Sequence, residues 1–193
     1  MTPDLNQLAS SALSIRYFQI VSKESENLRL DTYVIGGYVR DLILCRTSKD
    51  ADFVTIGDCY PLAEAVAKKL GKESTLNVFK HFGTAQVKYQ DWILEFVSAR
   101  KESYSPDSRK PAVESGTLKE DQERRDLTIN ALAIGLTGDN KGIWLDPFDG
   151  LADIDKKIIR TPLQPEATFS DDPLRMLRAV RFAAQLGFDI DAD

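Results

Sequence analysis

Two glycines, an arginine and two aspartates lie close together early in the chain: Gly36, Gly37, Arg40, Asp50 and Asp52. A glycine turn lets backbone amides approach phosphate groups, and an arginine can hold phosphate oxygens through its planar guanidinium. Two carboxylates on one strand face can hold a pair of Mg²⁺ ions that serve an attacking and a leaving oxygen. Phosphoryl transfer to a hydroxyl requires this combination of groups.

The spacing of the two aspartates determines where their side chains point. Residues i and i+2 of a strand project from the same face, so Asp50 and Asp52 share a face and Ala51 points to the other. Carboxylates this close repel each other unless a cation or a proton lies between them. The alternative is a surface turn, with Asp50 as a cap and Asp52 in solvent. The glycines and the arginine upstream favour the metal site.

Four segments of the chain resemble one known family. They are residues 33–41 with 49–54, residues 124–133, residues 146–154 and residues 171–182. Together they resemble the head domain of the tRNA nucleotidyltransferase and bacterial poly(A) polymerase family, a branch of the polymerase-beta superfamily. One short motif matches by chance, whereas four in the same order are specific. The resemblance implies an α+β fold, with a mixed or antiparallel sheet flanked by helices and followed by the start of an all-helical neck.

The resemblance also implies roles for individual residues. Gly37 and Arg40 would contact a triphosphate, and Asp172 and Arg175 would pair with the base edge of cytosine or adenine. The second of the four segments, residues 124–133 (the second motif), would contact ribose and phosphate. The predicted nucleotide-binding residues are Gly36, Gly37, Arg40, Arg125, Asp126, Asn130, Asp172, Arg175, Arg178 and Arg181. A plain tight turn at the glycines, and capping of a helix by Asp126, are the structural alternatives. Asp171 stands where the family commonly has glutamate, so it receives no role.

A third carboxylate is expected beside Asp50 and Asp52, because polymerase-beta-like sites have one on a neighbouring strand. Glu95 is the best candidate, since it interrupts an otherwise apolar segment and a buried charge needs a partner or a metal. The alternative is a structural ion pair of Glu95 with Arg100 or Arg40, and Asp91 is a weaker candidate because it lies in a turn. The predicted catalytic residues are Asp50, Asp52 and Glu95; Asp50 and Asp52 are the predicted ligands of two Mg²⁺ ions.

The last predicted helix, residues 172–186, carries three arginines at intervals of three residues. At about 100° per residue, Arg175, Arg178 and Arg181 fall on one side, which we expect to face a cleft. An apolar arc on the opposite side is expected to pack on the scaffold; it consists of Met176, Leu177, Val180, Ala183 and Ala184. A solvated basic face is the alternative. Asp172 before Pro173 suits an N-cap.

Composition limits the class of protein. The chain has 193 residues, 42% of them hydrophobic and 28% charged, with a net charge of −5. The acidic balance argues against broad RNA binding by this chain, although a local basic stripe is compatible with it. Cys45 and Cys59 fit no metal or redox spacing and suggest a reduced, cytoplasmic setting. His81 is the only histidine, which argues against a histidine zinc site or a catalytic triad. We find no signal peptide and no membrane-spanning segment.

Hydrophobic periodicity predicts the elements that position these residues. The predicted helices cover residues 5–28 (one or two helices), 39–44, 60–70, 125–134, 151–155 and 172–186. The predicted strands cover residues 32–35, 51–56, 77–80, 84–89, 92–98 and 143–145. A turn is expected near Phe82 and Gly83. Residues 103–123, rich in Ser, Pro, Lys and Glu without a period, are predicted to form a mobile loop.

These elements suggest three regions. We expect a helical segment packed on the head over residues 1–30, the catalytic head over 31–150 and the start of the neck over 151–193. We also expect further helical regions beyond Asp193 that hold most of a tRNA. The implied reaction is template-independent addition of CMP and AMP from CTP and ATP to the 3′ end of tRNA. The alternatives are poly(A) synthesis, A-only or CC-only addition, and a regulatory nucleotide-binding domain without catalysis.

Overall fold

The computed structural model describes residues 4–80, 83–105 and 108–192. For residues 101–105 and 108–114 it describes the backbone alone. His81 and Phe82, at the predicted turn, lie outside the described residues. The helices are α1 (Leu5–Ser14), α2 (Arg16–Leu28), α3 (Gly37–Ile43), α4 (Tyr60–Leu70), α5 (Leu118–Glu123), α6 (Gly150–Lys156), α7 (Pro165–Asp171) and α8 (Leu174–Leu186). The strands are β1 (Thr32–Ile35), β2 (Asp50–Thr55), β3 (Ser74–Phe79), β4 (Thr84–Tyr89), β5 (Trp92–Ser98), β6 (Arg100–Ser105), β7 (Ser108–Ser115), β8 (Ala133–Gly135), β9 (Trp144–Leu145), β10 (Ile158–Ile159) and β11 (Asp189–Ile190).

A seven-stranded sheet forms the framework, in the order β3-β4-β5-β2-β1-β8-β9. Strands β2 and β5 pair in parallel, and the other neighbours pair antiparallel. A parallel pair needs a crossover connection, and α4 lies in the chain between β2 and β5. The predicted α+β fold with a mixed sheet flanked by helices is therefore confirmed.

An aromatic cluster anchors the helices to one face of this sheet. The rings of Phe53 on β2 and Phe96 on β5 stack with their centroids 5.3 Å apart, and Phe18 of α2 meets Phe53 edge-on at 5.2 Å. Tyr38 of α3 packs on Phe18 at 4.9 Å, and burial raises its pKa to about 12. Because alternate residues of a strand face opposite ways, burial of Ala51 and Phe53 turns Asp50 and Asp52 to the other face.

Two predicted segments differ from the structure. Residues 103–123 are not a loop, because β6 and β7 pair as a hairpin and α5 follows. Thr117 and Glu120 form a capping box at the start of α5, a sequence signal of a helix. Residues 125–134 are not one helix either: a short 3₁₀ turn, Thr128–Asn130, precedes β8. Pairing of β8 with β1 overrides the local helical pattern there.

The chain packs into two compact units. One contains residues 1–99 and 133–145, including the whole seven-stranded sheet; the other contains residues 100–132 and 146–193. The predicted boundaries after residues 30 and 150 stay a prediction. Within the described part of the chain, no helix has both the length and the apolar character that a membrane span requires.

Candidate functional site

Three carboxylates lie on neighbouring strands of the sheet. Asp52 of β2 stands directly opposite Glu95 of β5 in the parallel register, so both side chains project from the same face as Asp50. Asp50 is exposed, whereas Asp52 and Glu95 are half-buried. The structure thus brings the three predicted catalytic residues to one face of the sheet, on two adjacent interior strands.

The electrostatics of Glu95 reflect these neighbours. Burial raises the pKa of Glu95 above its ordinary value of 4.5, and the negative charges of Asp52 and then Asp50 raise it further. The dominant charges at Glu95 are therefore other carboxylates, which disfavour its ionised form. A cation bound between them would relieve that repulsion.

Replacing Glu95 by glutamine tests this electrostatic cost. Because the folded-state pKa of Glu95 lies above its unfolded value, ionisation costs the folded protein stability as pH rises through that interval, and the cost is complete above it. In metal-free buffer we expect Glu95→Gln to raise the melting temperature near pH 7, and the difference to shrink as pH falls well below 4.5, where both folded and unfolded chains carry the proton.

Thermal unfolding across this pH range makes the measurement, with Glu64→Gln on the exposed side of α4 as the matched charge change. We expect no comparable pH-dependent difference in that control. A lower melting temperature of Glu95→Gln near neutral pH would instead indicate that Glu95 belongs to a structural ion pair.

The glycine turn lies at the end of β1, beside Asp52. Ile35 pairs with Asp52 in the sheet, and Gly36 follows with φ 82° and ψ −137°, a conformation that only glycine adopts without strain. Gly37 begins α3. The buried guanidinium of Arg40 binds Asp41 through Nε at 3.0 Å and Nη2 at 2.9 Å. The tight turn that we gave as the alternative at these glycines is present, with a positive φ at Gly36, and phosphate binding by these residues stays a prediction.

The two glycines have different steric requirements, and their alanine variants should differ. Gly36→Ala forces a left-handed conformation on a residue with a Cβ, and we expect it to lower the free energy of unfolding by about 1–3 kcal/mol. At Gly37, an added Cβ would meet Arg40 Nη2 at 3.6 Å, an ordinary van der Waals distance, so Gly37→Ala is the control. Urea unfolding compares the two; equal stabilities would contradict the strain at Gly36.

The carboxylates fit Mg²⁺ as a partial ligand set. Among the described residues, no three His, Cys, Asp or Glu side chains are already gathered into a metal site. Mg²⁺ prefers oxygen ligands and is usually held by one or two carboxylates together with substrate phosphates and water. Asp50 and Asp52 offer such carboxylate oxygens on one strand face, and a bound triphosphate would supply the remaining ligands.

The residues of the second motif form a polar network in the other unit. Asp126 Oδ1 accepts hydrogen bonds from the Leu127 backbone at 2.9 Å and from Asn130 Nδ2 at 3.1 Å. Its Oδ2 accepts from Arg178 Nε at 2.6 Å. Arg125 Nη1 donates to the Asn130 carbonyl at 3.4 Å. The structure therefore brings Arg125, Asp126, Asn130 and Arg178 together. The alternative that Asp126 caps a helix is wrong, because the N-cap of the 3₁₀ turn is Leu127 and no side chain caps it.

The buried face of α8 is not the face that we predicted to be buried. Arg175, 9% exposed, is buried together with Ala179 and Phe182, whereas the apolar arc faces outward, with Leu177 68% exposed. A helical wheel ranks side chains by polarity but does not show which elements pack beside them. Here α7, β10 and β11 contact α8 on the side of Arg175. The prediction that the apolar arc packs on the scaffold is wrong.

The predicted nucleotide-binding residues on and beside α8 each contact a different group. Asp172 Oδ1 accepts from the Leu174 backbone at 3.0 Å, although Pro173 rather than Asp172 is the N-cap of α8. Arg175 Nη1 donates to the Thr168 carbonyl at 3.4 Å. Arg181 is exposed and stacks on the ring of Phe182 at 4.6 Å. The arginines of α8 therefore do not form a single uniform face.

Residues 146–154, the third motif, pack against the 3₁₀ turn of the second motif. Asp146 accepts hydrogen bonds from the backbone of Gly150 at 2.7 Å and of Leu151 at 2.9 Å, which fixes the start of α6. A Cβ at Gly150 would lie 2.5 Å from the Thr128 carbonyl oxygen. Asp153, fully buried, accepts from Thr128 Oγ1 at 2.6 Å. These contacts hold the 3₁₀ turn that carries Asn130.

One charged residue of this network was missed by sequence reasoning. Asp121 is fully buried and binds the guanidinium groups of both Arg124 and Arg125. The loop predicted over residues 103–123 concealed it. The capping box of Thr117 and Glu120 is the signal that could have placed Asp121 on a helix next to these arginines.

Comparisons with known proteins agree with this geometry. Residues 32–160 match the model of the poly A polymerase head domain. The chain is 43% identical over 161 residues to the A-adding tRNA nucleotidyltransferase of Aquifex aeolicus, covering 83% of this chain and 19% of that protein. It is 44% identical over 163 residues to the CCA-adding enzyme of Bacillus subtilis, covering 83% and 38%.

A solved structure extends the agreement to three dimensions. A tRNA nucleotidyltransferase complexed with a primer tRNA and an incoming ATP analogue superposes with a TM-score of 0.77 at 38% identity, covering 89% of this chain and 46% of that one. The chain thus spans less than half the length of each of these proteins. The family match spans the whole seven-stranded sheet and the second and third motifs, and the chain belongs to the poly A polymerase head domain family.

Proposed function

We propose that the protein is a nucleotidyltransferase that adds CMP and AMP from CTP and ATP to the 3′ end of tRNA. The observation that carries the proposal is the register of Asp52 with Glu95, which puts three carboxylates on one face beside the glycine turn. Membership of the head-domain family supports it, as does similarity to CCA-adding and A-adding enzymes.

In the proposed reaction, the 3′-oxygen of the RNA forms a bond to the α-phosphorus of the incoming nucleotide. The bond from that phosphorus to the β-phosphate oxygen breaks, and pyrophosphate leaves. Asp50 and Asp52 would hold two Mg²⁺ ions, which when bound supply charge neutralisation and ease loss of the hydroxyl proton. The amides at Gly36 and Gly37 and the guanidinium of Arg40 would hold the triphosphate. Glu95 adds negative charge beside the metal ligands and strengthens cation binding.

A further set of residues would select the nucleotide. Arg125, Asp126 and Asn130 would contact ribose and phosphate. Asp172 offers acceptors and Arg175 offers donors, a combination that suits the amino group and ring nitrogen of cytosine and adenine. In the described contacts, Asp172 uses Oδ1 for the Leu174 backbone, and Oδ2 is its second acceptor.

We expect this chain to bind nucleoside triphosphate more tightly than tRNA. Its net charge of −5 gives little of the basic surface that phosphate backbones require, and tRNA binding that depends on released counterions weakens steeply with salt. Titration of labelled tRNA and of labelled ATP at two salt concentrations makes the comparison. Tight, salt-sensitive tRNA binding by these 193 residues would contradict the prediction.

A cytoplasmic location is part of the proposal, because tRNA is the proposed substrate. The free thiols of Cys45 and Cys59 support a reducing setting.

A-only addition is the second candidate, because the Aquifex aeolicus relative is an A-adding enzyme. Extension by the full-length protein of tRNA lacking its 3′ CCA, and of tRNA lacking only the final A, distinguishes the possibilities when CTP and ATP are supplied singly and together. We expect CTP to extend the tRNA that lacks its 3′ CCA, and ATP to complete the tRNA that lacks only the final A.

Other outcomes identify the alternatives. Extension of the second substrate alone indicates A-only addition, incorporation of CMP alone indicates CC-only addition, and a long ladder with ATP indicates poly(A) synthesis. Nucleotide binding without any extension of either tRNA would overturn the proposal in favour of a regulatory domain.

A further inference from the structure

A buried carboxylate stands at one end of the polar network of the second motif. Asp121 of α5 has no exposed surface. Its Oδ1 accepts from Arg124 Nε at 3.0 Å, and its Oδ2 accepts from Arg125 Nε at 3.4 Å and Nη2 at 3.3 Å. A buried charge is stable only when it is paired and hydrogen-bonded. Here two arginines donate hydrogen bonds to one aspartate.

The contacts continue from Asp121 toward α8. Arg125, held by Asp121, reaches the Asn130 carbonyl through Nη1. The Asn130 side chain donates to Asp126, and Asp126 accepts from Arg178. Asp121 is thus the buried end of a chain of polar contacts that runs from Arg125 to Arg178, and each member from Arg125 onward belongs to the proposed nucleotide-binding set. Packing fixes Asp121, so its carboxylate limits the orientations open to the Arg125 guanidinium.

We infer that Asp121 is a positioning residue that orients Arg125 toward the ribose and phosphates of the incoming nucleotide. The inference rests on the proposed function. Asp121 itself does not contact substrate; it fixes the plane of a guanidinium that keeps Nη1 on Asn130. A planar, forked donor set recognises ribose and phosphate oxygens only when its plane is held in place. Loss of the Asp121 charge therefore releases Arg125 and weakens preference for ribonucleotides.

The test compares binding of ATP with dATP, and of CTP with dCTP, by competition against a fluorescent ATP analogue. Asp121→Asn keeps the shape of the side chain and removes its charge. Glu123→Gln, the same charge change on the same helix, is the control. We expect Asp121→Asn to reduce the ribose preference by roughly tenfold to a hundredfold, the usual range for a hydrogen bond to a charged group, and Glu123→Gln to leave it unchanged.

A double-variant cycle separates positioning from general stability. If Asp121 acts through Arg125, Asp121→Asn has no further effect on the ribose preference in an Arg125→Gln background. Independent, additive effects would overturn the inference. Should Asp121→Asn unfold, Asp121→Glu keeps the charge but displaces Arg125, and an unchanged ribose preference in that folded variant overturns it equally.

The control outcomes keep the two proposals apart. Failure of the wild-type protein to bind ATP or CTP would overturn the proposed function and this inference together. Normal binding by wild type, with the same ATP-to-dATP preference in folded Asp121→Asn, would overturn only the role of Asp121. A lower melting temperature with an unchanged preference would assign Asp121 to stability alone.

Discussion

Asp52→Ala is expected to reduce nucleotide addition by about a thousandfold or more, and Asp50→Ala to have a similar effect. The reason is that metal-assisted charge stabilisation contributes several kcal/mol to the transition state, and each 1.4 kcal/mol is roughly a tenfold change in rate. Asp52 faces Glu95 in register, so its removal also lessens a repulsion. We therefore expect the melting temperature of the metal-free protein not to fall.

Turnover and thermal unfolding must be measured on the same preparations. Asp139→Ala, an exposed aspartate in the 3₁₀ turn Gly138–Asn140 of the same unit, is the matched control and should retain activity. Full activity of either active-site variant would contradict the metal-ligand assignment. Lost activity together with lost folding would assign the residue to stability rather than catalysis.

Arg175→Ala is expected to erode discrimination for CTP and ATP over UTP and GTP. Loss of a paired donor contact to a base edge costs on the order of 1–3 kcal/mol, by analogy with base readout in nucleic-acid grooves, which corresponds to about tenfold to a hundredfold in relative affinity. Burial of Arg175 against Thr168 fixes its guanidinium, as selective recognition requires. Triphosphate anchoring through Arg40 remains, so weak binding should persist.

Competition among the four triphosphates separates base reading from simple attraction. Arg178→Ala is the informative comparison, because Arg178 pairs with Asp126 at 2.6 Å and should affect all four nucleotides alike. If Arg175→Ala weakens all four equally, Arg175 acts through charge alone and the base-reading role is wrong. Thermal unfolding of both variants verifies that the folded fraction is unchanged.

The sheet that carries Asp50, Asp52 and Glu95 was predictable because its signals are local. Short apolar segments identify β2 and β5, and a charge within the second of them singles out Glu95. The positive φ of Gly36 follows from a glycine pair at the end of a strand. Each of these features depends on periods of two residues or on single backbone conformations.

Features that depend on distant partners were not predictable in the same way. The sequence of β6 and β7 has no apolar alternation that would predict a hairpin. Strand β8 forms because it pairs with β1. The orientation of α8 depends on α7, β10 and β11, which place Arg175 inside and Leu177 outside. Asp121 was not predicted as a site residue because the segment that contains it was predicted to be a loop, whereas it lies in helix α5.

The most direct test of the account follows both products of one reaction. The protein is supplied with tRNA lacking its final A and with ATP labelled at the α-phosphate, with Mg²⁺ or with a chelator. With the full-length protein, we predict labelled tRNA and pyrophosphate in equal amounts, and neither product with chelator. Label transfer that persists without a divalent metal, or that releases orthophosphate in place of pyrophosphate, would contradict it.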